Sequence, residues 1–166
     1  MKRFIRLGAA VLAAILLTVP ARAGALLNTP VTTPVTAQVT PNFQLRSSPA
    51  QAGLPTNIVL QGTFTYGSGG TSADAWVQTS LDGGTTWIDT ADFHFTTASA
   101  RFIFNLSSQT PVTTEYTPTD GTLSANTAKD GILGPMWRVK STTVGTYGGS
   151  TTLRVDAFTN GLTSLP

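Results

Sequence analysis

The sequence predicts an all-β protein, either a small antiparallel β-sandwich or a jelly-roll-like domain, with about seven strands. Three observations support this fold class. Beyond Pro41, apolar residues recur with a period of two, which places alternate side chains on one face of a strand. Turn-forming residues recur at intervals of about 8 to 12 residues. No window carries the apolar period and the capping residues of an amphipathic helix. A closed barrel is the alternative that the same pattern allows.

The first 23 residues have the pattern of a secretory signal peptide. Three cations within the first six residues precede an apolar run over residues 7–19, and residues 21–23, Ala-Arg-Ala, resemble a cleavage site. The apolar run is shorter than the roughly 20 residues of a membrane-spanning helix. We therefore expect cleavage after Ala23, a periplasmic or secreted chain and no stable membrane insertion, with an uncleaved anchor as the alternative.

Removal of this leader changes the sign of the net charge. The whole chain has 10 Lys and Arg against 8 Asp and Glu, and four of those cations lie in the leader, which leaves six. The remaining 143 of 166 residues suit one domain of ordinary size. Because no basic stripe is left to neutralise phosphates, we do not expect nucleic acid as a partner. The absence of cysteine excludes thiol catalysis and cysteine-ligated metals.

Residues 24–41 are rich in Thr, Val and Pro. Pro30, Pro34 and Pro41 prevent a continuous helix, so this segment is predicted to be an extended linker or arm that precedes a single domain over residues 42–166. An edge strand is the alternative, because edge strands tolerate proline.

The predicted strands follow the apolar stretches of the domain. They cover residues 57–66, 74–81, 86–91 and 101–106, with a further short strand proposed at 112–116. The second and third of these strands are expected to pair with each other across the Asp-Gly-Gly sequence at 82–84, whose glycines supply positive φ angles. In the fourth, Phe102, Phe104 and Leu106 share one face.

The last two strands are predicted to form a hairpin with each other. Residues 137–146 and 150–159 flank a glycine-containing three-residue loop. The preferred register places Lys140 opposite Asp156, which gives a favourable charge pair, whereas a two-residue loop would lose that pair.

Large aromatic residues are predicted to fill the space between the sheets, where each buried ring contributes on the order of 2 to 3 kcal/mol. They are Trp76, Trp87, Phe93, Phe95, Phe102, Phe104 and Trp137. If Trp137, which follows the Gly134-Pro135 break, faces outward instead, it is the best candidate for a ligand-binding residue, because its ring could stack on a sugar.

Candidate catalytic residues are few. His94 is the only histidine and alternates with two phenylalanines, so it is predicted to point outward into solvent. Asp89 and Asp92 lie nearby, and Ser80 or Ser99 would complete the residue types of a triad, but no nucleophile-elbow sequence accompanies them. We therefore predict no enzyme, no catalytic residue, no metal and no cofactor.

Ser80, Asp82, Gly84 and Trp87 match the pattern Ser-x-Asp-x-Gly-x-x-Trp, which resembles the Asp-box hairpin of sialidases and other β-propellers. The resemblance implies that Ser80 and Asp82 brace a structural turn, with Trp87 packed beneath it. In that family the box does not carry the sialidase chemistry. It occurs once here, in a domain too short for a propeller, which argues against glycosidase activity.

A second resemblance covers residues 41–161. Its most distinctive segments are residues 75–87, 95–101, 116–123 and 126–134. They resemble a family of small β-rich proteins encoded among the virion structural genes of tailed phages and prophages. The resemblance implies a non-enzymatic decoration, head–tail or tail-associated component that is located in the virion and binds other virion proteins or copies of itself.

The leader and the Thr/Pro-rich segment depart from that family. Either an exported member or a reading frame extended upstream of the true start would explain the departure. The alternative function is a secreted or periplasmic β-sandwich binding module with glycan as its partner.

Overall fold

In the computed structural model, the described residues are 23–31, 35–39, 43–44 and 56–159. They form eleven β-strands and no helix, which confirms the predicted all-β class. The strands are β1 (Ala23–Pro30), β2 (Val35–Val39), β3 (Phe43–Gln44), β4 (Asn57–Thr65), β5 (Ser68–Gly69), β6 (Ser72–Ser80), β7 (Ile88–Phe95), β8 (Ala100–Ser107), β9 (Met136–Val144), β10 (Tyr147–Gly148) and β11 (Thr152–Thr159). Residues 1–22, which make up nearly all of the predicted signal peptide, lie outside the described ranges.

Two antiparallel sheets form the body of the protein. One has the strand order β1-β11-β4-β8, and the other has the order β2-β9-β6-β7 with β3 also paired to β9. The ring of Phe93 in β7 lies directly over Gly62 in β4, where an added Cβ would come within 2.6 Å of the Phe93 Cγ. Phe64 and Phe95 stack across the same space with ring centroids 5.2 Å apart. These contacts pack the sheets face to face, as in a small β-sandwich.

The aromatic core is smaller than predicted. Phe93, Phe95 and Trp137 are buried in it together with Phe64. Trp76 and Phe104 are only half-buried, and Phe102 is 38 % exposed.

The predicted C-terminal hairpin is wrong, because its two strands belong to different sheets. β9 pairs with β6, and β11 pairs with β4 and β1. Between them Gly145 has a positive φ of 81° and β10 pairs with β5, so the chain crosses from one sheet to the other. Lys140 therefore lies opposite Trp76, while Asp156 lies opposite Gln61 and binds Arg154.

Two further expectations are corrected. β1 and β2 are edge strands of the two sheets, which is the alternative to a free arm, and Leu26, Leu27 and Val31 are buried. Residues 112–116 form no strand and belong instead to a long connection between β8 and β9. Part of that connection, residues 119–129, lies along β7 and is called the latch below.

Candidate functional site

The turn between β6 and β7 is braced by its own side chains. The Ser80 hydroxyl donates to Asp82 Oδ1 (2.8 Å) and accepts the N–H of Gly84 (2.9 Å). Asp82 Oδ1 accepts the N–H groups of Thr85 (3.1 Å) and Thr86 (2.8 Å). The bonds from Thr86 and Ser80 lower the pKa of Asp82 to about 2, because they favour the charged carboxylate. Ser80 and Asp82 therefore have a structural role in this turn.

Trp87 ends the turn and is buried. The guanidinium carbon of Arg138 lies 4.2 Å from the centre of its ring, which is a cation–π contact. This contact joins the turn to β9 on the outer face of the five-stranded sheet, the face that points away from the sandwich core.

Asp89 is the most heavily hydrogen-bonded carboxylate of this outer face, and it is fully buried. Its two oxygens accept the backbone N–H groups of Gly121 (2.9 Å), Thr122 (3.0 Å) and Leu123 (3.2 Å), and Gln78 Nε2 donates to Oδ1 (2.7 Å). Since three successive amides of the latch point at one buried carboxylate, Asp89 fixes the latch to the sheet.

Asp120 extends this network to two cations. Its Oδ1 accepts hydrogen bonds from Gln78 Nε2 (2.8 Å), Arg138 Nη2 (3.0 Å) and Lys140 Nζ (3.0 Å). Burial opposes ionisation of Asp120, but the bonds from Gln78 and Lys140 and the charges of Lys140 and Arg138 outweigh it, so the pKa of Asp120 is lowered. The Gln78 side chain also accepts from Arg138 Nε (2.6 Å), which leaves both of its polar atoms paired.

The latch also pairs with the backbone of β7. Asp89 N–H donates to Thr119 O (3.0 Å), Asp92 N–H to Thr127 O (2.9 Å), and Lys129 N–H to Thr90 O (2.8 Å). β7 is the last strand of its sheet, so these bonds close an edge that would otherwise be open to other strands.

A second carboxylate beneath the latch is not paired in this way. Asp92 is 1 % exposed, and no donor among the described residues lies in ordinary hydrogen-bond geometry to its oxygens, although the backbone N–H of Asn126 favours its charged form. Burial raises the pKa of Asp92 to about 7, with a further contribution from the charge of Asp74 that His94 partly opposes. Asp92 therefore takes up a proton far more readily than an exposed aspartate does.

His94 lies beside this group. The sequence predicted that it would be freely solvated, and it is not. It does point away from the core, yet its side chain is only 30 % exposed, and its Nδ1 lies 2.5 Å from Asp74 Oδ1. Its backbone N–H donates to Asn126 Oδ1 in the latch (3.0 Å). The latch covers part of the outer face, which explains the difference.

The serines considered for a triad lie elsewhere. The Ser80 hydroxyl is bound to Asp82, and the Ser99 hydroxyl accepts the N–H of Tyr66 (2.9 Å). The structure thus brings His94 close to Asp92 and Asp74, while both candidate serines are hydrogen-bonded elsewhere. Within the described ranges, no three Asp, Glu or His side chains are grouped so that they could hold a metal ion.

Trp137 does not present its ring to a ligand. It is 0 % exposed, and its Nε1 donates to Gly134 O (2.8 Å) inside the protein. Trp137 occupies an inward position of β9, as Val139 does, so the proposed sugar-stacking role is wrong.

A surface pocket of about 340 Å³ lies next to the latch and was not predicted. Residues 111–116 line it together with Lys129, Asp130 and Ile132. Lys129 Nζ lies 5.2 Å from the centre of the Tyr116 ring, and Asp130 binds the Thr110 hydroxyl (2.6 Å). Two of its lining residues, Lys129 and Tyr116, are thus in contact with each other.

Comparison with protein-family models, curated proteins and solved structures found no match to this chain. The described part of the chain contains no helix long and apolar enough to cross a membrane.

Proposed function

We propose that the protein is a non-enzymatic structural component of a phage or prophage particle, in a decoration, head–tail or tail-associated position. The observation that carries the proposal is how the polar side chains of the outer face are used. Asp89, Gln78 and Asp120 bind other parts of the same chain and hold the latch on the sheet. They act as braces within the fold.

This use of carboxylates differs from that in an active site. A catalytic carboxylate must reach a substrate, whereas Asp89 is fully buried and saturated with internal donors. Asp82 is likewise occupied by its own turn. A rigid shell with braced loops suits a protein that packs against other proteins, and the resemblance of residues 41–161 to virion proteins favours that role.

The proposed partners are other virion proteins or further copies of this chain, and the proposed location is the virion. The segment 24–41 contributes less to such contacts than a free arm would, because β1 and β2 are each already paired along one side with a strand of their own sheet. A glycan-binding module is the weaker alternative, since Trp137, its candidate residue, is buried.

Mass spectrometry of induced lysates tests the proposal. A host that carries the gene within an inducible prophage is lysed, and particles are separated from the particle-free supernatant on a density gradient. We expect peptides of this chain in the particle band, in constant ratio to the other virion proteins across it. A matched strain with an early stop codon in the gene controls for peptide assignment.

The opposite distribution would reject the proposal. If the chain is expressed but found only in the particle-free fraction, with its first residue at Gly24, it is an exported protein and not a particle component.

A further inference from the structure

Two of the edge strands, β7 and β8, differ in how their free sides are protected. The edge of β7 is closed by the latch, as described above. β8 is the last strand of the four-stranded sheet, and β4 is its pairing partner along its whole length. No other described strand lies on its second side.

The register shows which backbone groups of β8 face outward. Ser108 N–H donates to Thr56 O (2.9 Å), which makes these two residues a hydrogen-bonded pair at the end of the ladder. Hydrogen-bonded and non-hydrogen-bonded pairs alternate along antiparallel strands. The even-numbered residues of β8 therefore bond to β4, and the N–H and C=O groups of Arg101, Ile103 and Asn105 point away from it.

Ser107 supports this assignment and marks the end of the open edge. It is the next odd-numbered residue, and its outward groups are already bound: Gly131 N–H donates to Ser107 O (3.1 Å), and Ser107 N–H donates to Asp130 Oδ1. No described residue binds the backbone of Arg101, Ile103 or Asn105 in this way. The open edge thus runs from Arg101 to Asn105.

The side chains along this edge are more apolar than those of a protected edge. Ile103 is 60 % exposed and Phe102 is 38 % exposed, and Arg101 is the only charged residue of β8. Edge strands that must stay unpaired usually carry charges, prolines or bulges. β8 has neither a proline nor a register shift against β4.

A second copy of β8 fits this edge. When two copies run antiparallel with Ile103 opposite Ile103, the outward groups of Arg101 meet those of Asn105 from the other copy, and each such pair can form two hydrogen bonds. On the opposite face Phe102 meets Phe104 of the other copy, an aromatic pair. Arg101 faces Asn105 rather than a second arginine, so this pairing brings no like charges together.

We propose that two copies of this chain associate through β8, paired antiparallel about a two-fold axis at Ile103, so that their four-stranded sheets become one eight-stranded sheet. This dimer would give the proposed assembly role a defined contact surface. Its use in the particle rests on the proposed function, whereas the pairing itself does not.

Analytical ultracentrifugation of the purified full chain tests the pairing. We expect wild-type protein to show a concentration-dependent monomer–dimer equilibrium. Ile103→Lys places two like charges opposite each other, which should raise the dimer dissociation constant about fivefold or more. Val144→Lys is the matched control, because Val144 is similarly exposed (54 %) but lies on the other sheet. Circular dichroism confirms that both variants are folded.

A mixing experiment tests the register. Ile103→Lys and Ile103→Glu should each be mainly monomeric, and an equimolar mixture should form a heterodimer, because only a residue that faces its own copy can be rescued by the opposite charge. Wild-type protein that is monomeric at every concentration, an Ile103→Lys variant that dimerises as well as Val144→Lys, or a mixture without heterodimer would each overturn the proposal. All of these results concern free protein, so they stand whether or not the chain is found in particles.

Discussion

Asp92→Asn is expected to stabilise the protein, and by a larger amount at pH 8 than at pH 5. Burial and the nearby Asp74 raise the pKa of Asp92 from 3.8 to about 7 in the folded protein. The folded state therefore binds the proton more tightly than the unfolded chain does. The stability that this provides is fully present below pH 3.8 and is lost as the pH rises through about 7.

The size of the effect follows from the two pKa values. A difference of about three pH units at about 1.4 kcal/mol per unit gives about 4 kcal/mol, which is the full cost of ionising Asp92 in place above pH 7. At pH 5 the cost is only about 2 kcal/mol, because the folded carboxyl is still protonated and only the unfolded one is ionised. Asparagine has nearly the same shape and no charge, so its advantage over wild type should grow by about 2 to 3 kcal/mol between pH 5 and pH 8.

Urea unfolding at fixed ionic strength measures this difference. Wild type, Asp92→Asn and the control Glu115→Gln are each unfolded at pH 5 and pH 8, and Glu115 serves as the control because its carboxylate is exposed. Subtracting the wild-type free energy at each pH removes the other titrating groups. An Asp92→Asn advantage that is equal at the two pH values, or smaller at pH 8, would refute the reasoning.

Three further substitutions test other parts of the structure. Asp89→Asn removes a charge that accepts three latch amides, so it should lower the free energy of unfolding by about 3 kcal/mol and speed hydrogen exchange at residues 121–123. Asp130→Asn is the control. Unchanged exchange at residues 121–123 in Asp89→Asn would contradict the bracing role. Asp82→Asn should destabilise the protein at pH 7. The difference from wild type should fade as the pH falls from 3.8 through about 2, because the wild-type carboxylate is then protonated as well. Thermal melts of both proteins at pH 7 and pH 2 measure this change. Trp137→Ala should cost about 3 to 5 kcal/mol of stability in urea unfolding, since it empties a large core position, and a loss well below 1 kcal/mol would show that Trp137 is not packed in the core.

Local features of this fold could be predicted from the sequence. In the turn after β6, the bonded groups lie within four residues of one another, from Ser80 to Gly84 and from Asp82 to Thr86. Such contacts depend on residue types and short spacing alone. The β6–β7 hairpin was correctly placed for the same reason.

Pairings over long distances could not be predicted. Lys140 and Asp156 had compatible charges and a plausible loop between them, but β9 pairs with β6, where Lys140 lies opposite Trp76, a residue far earlier in the chain. Asp89 binds amides 32 to 34 residues away, in a segment that has no strand pattern. The direction of Trp137 was left open because it depends on which sheet β9 joins.

The first and last described strands are neighbours, with Ala23 opposite Phe158 and Pro30 opposite Thr152. The start of β1 and the end of β11 therefore lie side by side at the same end of the sandwich. Tension applied to those two ends would open the β1–β11 ladder one pair after another, because each hydrogen bond is loaded in turn and the bonds do not resist together in shear. A chain held in this way should give way at low force. Attachments that must bear mechanical load are better placed on the interior strands β4, β6 and β9.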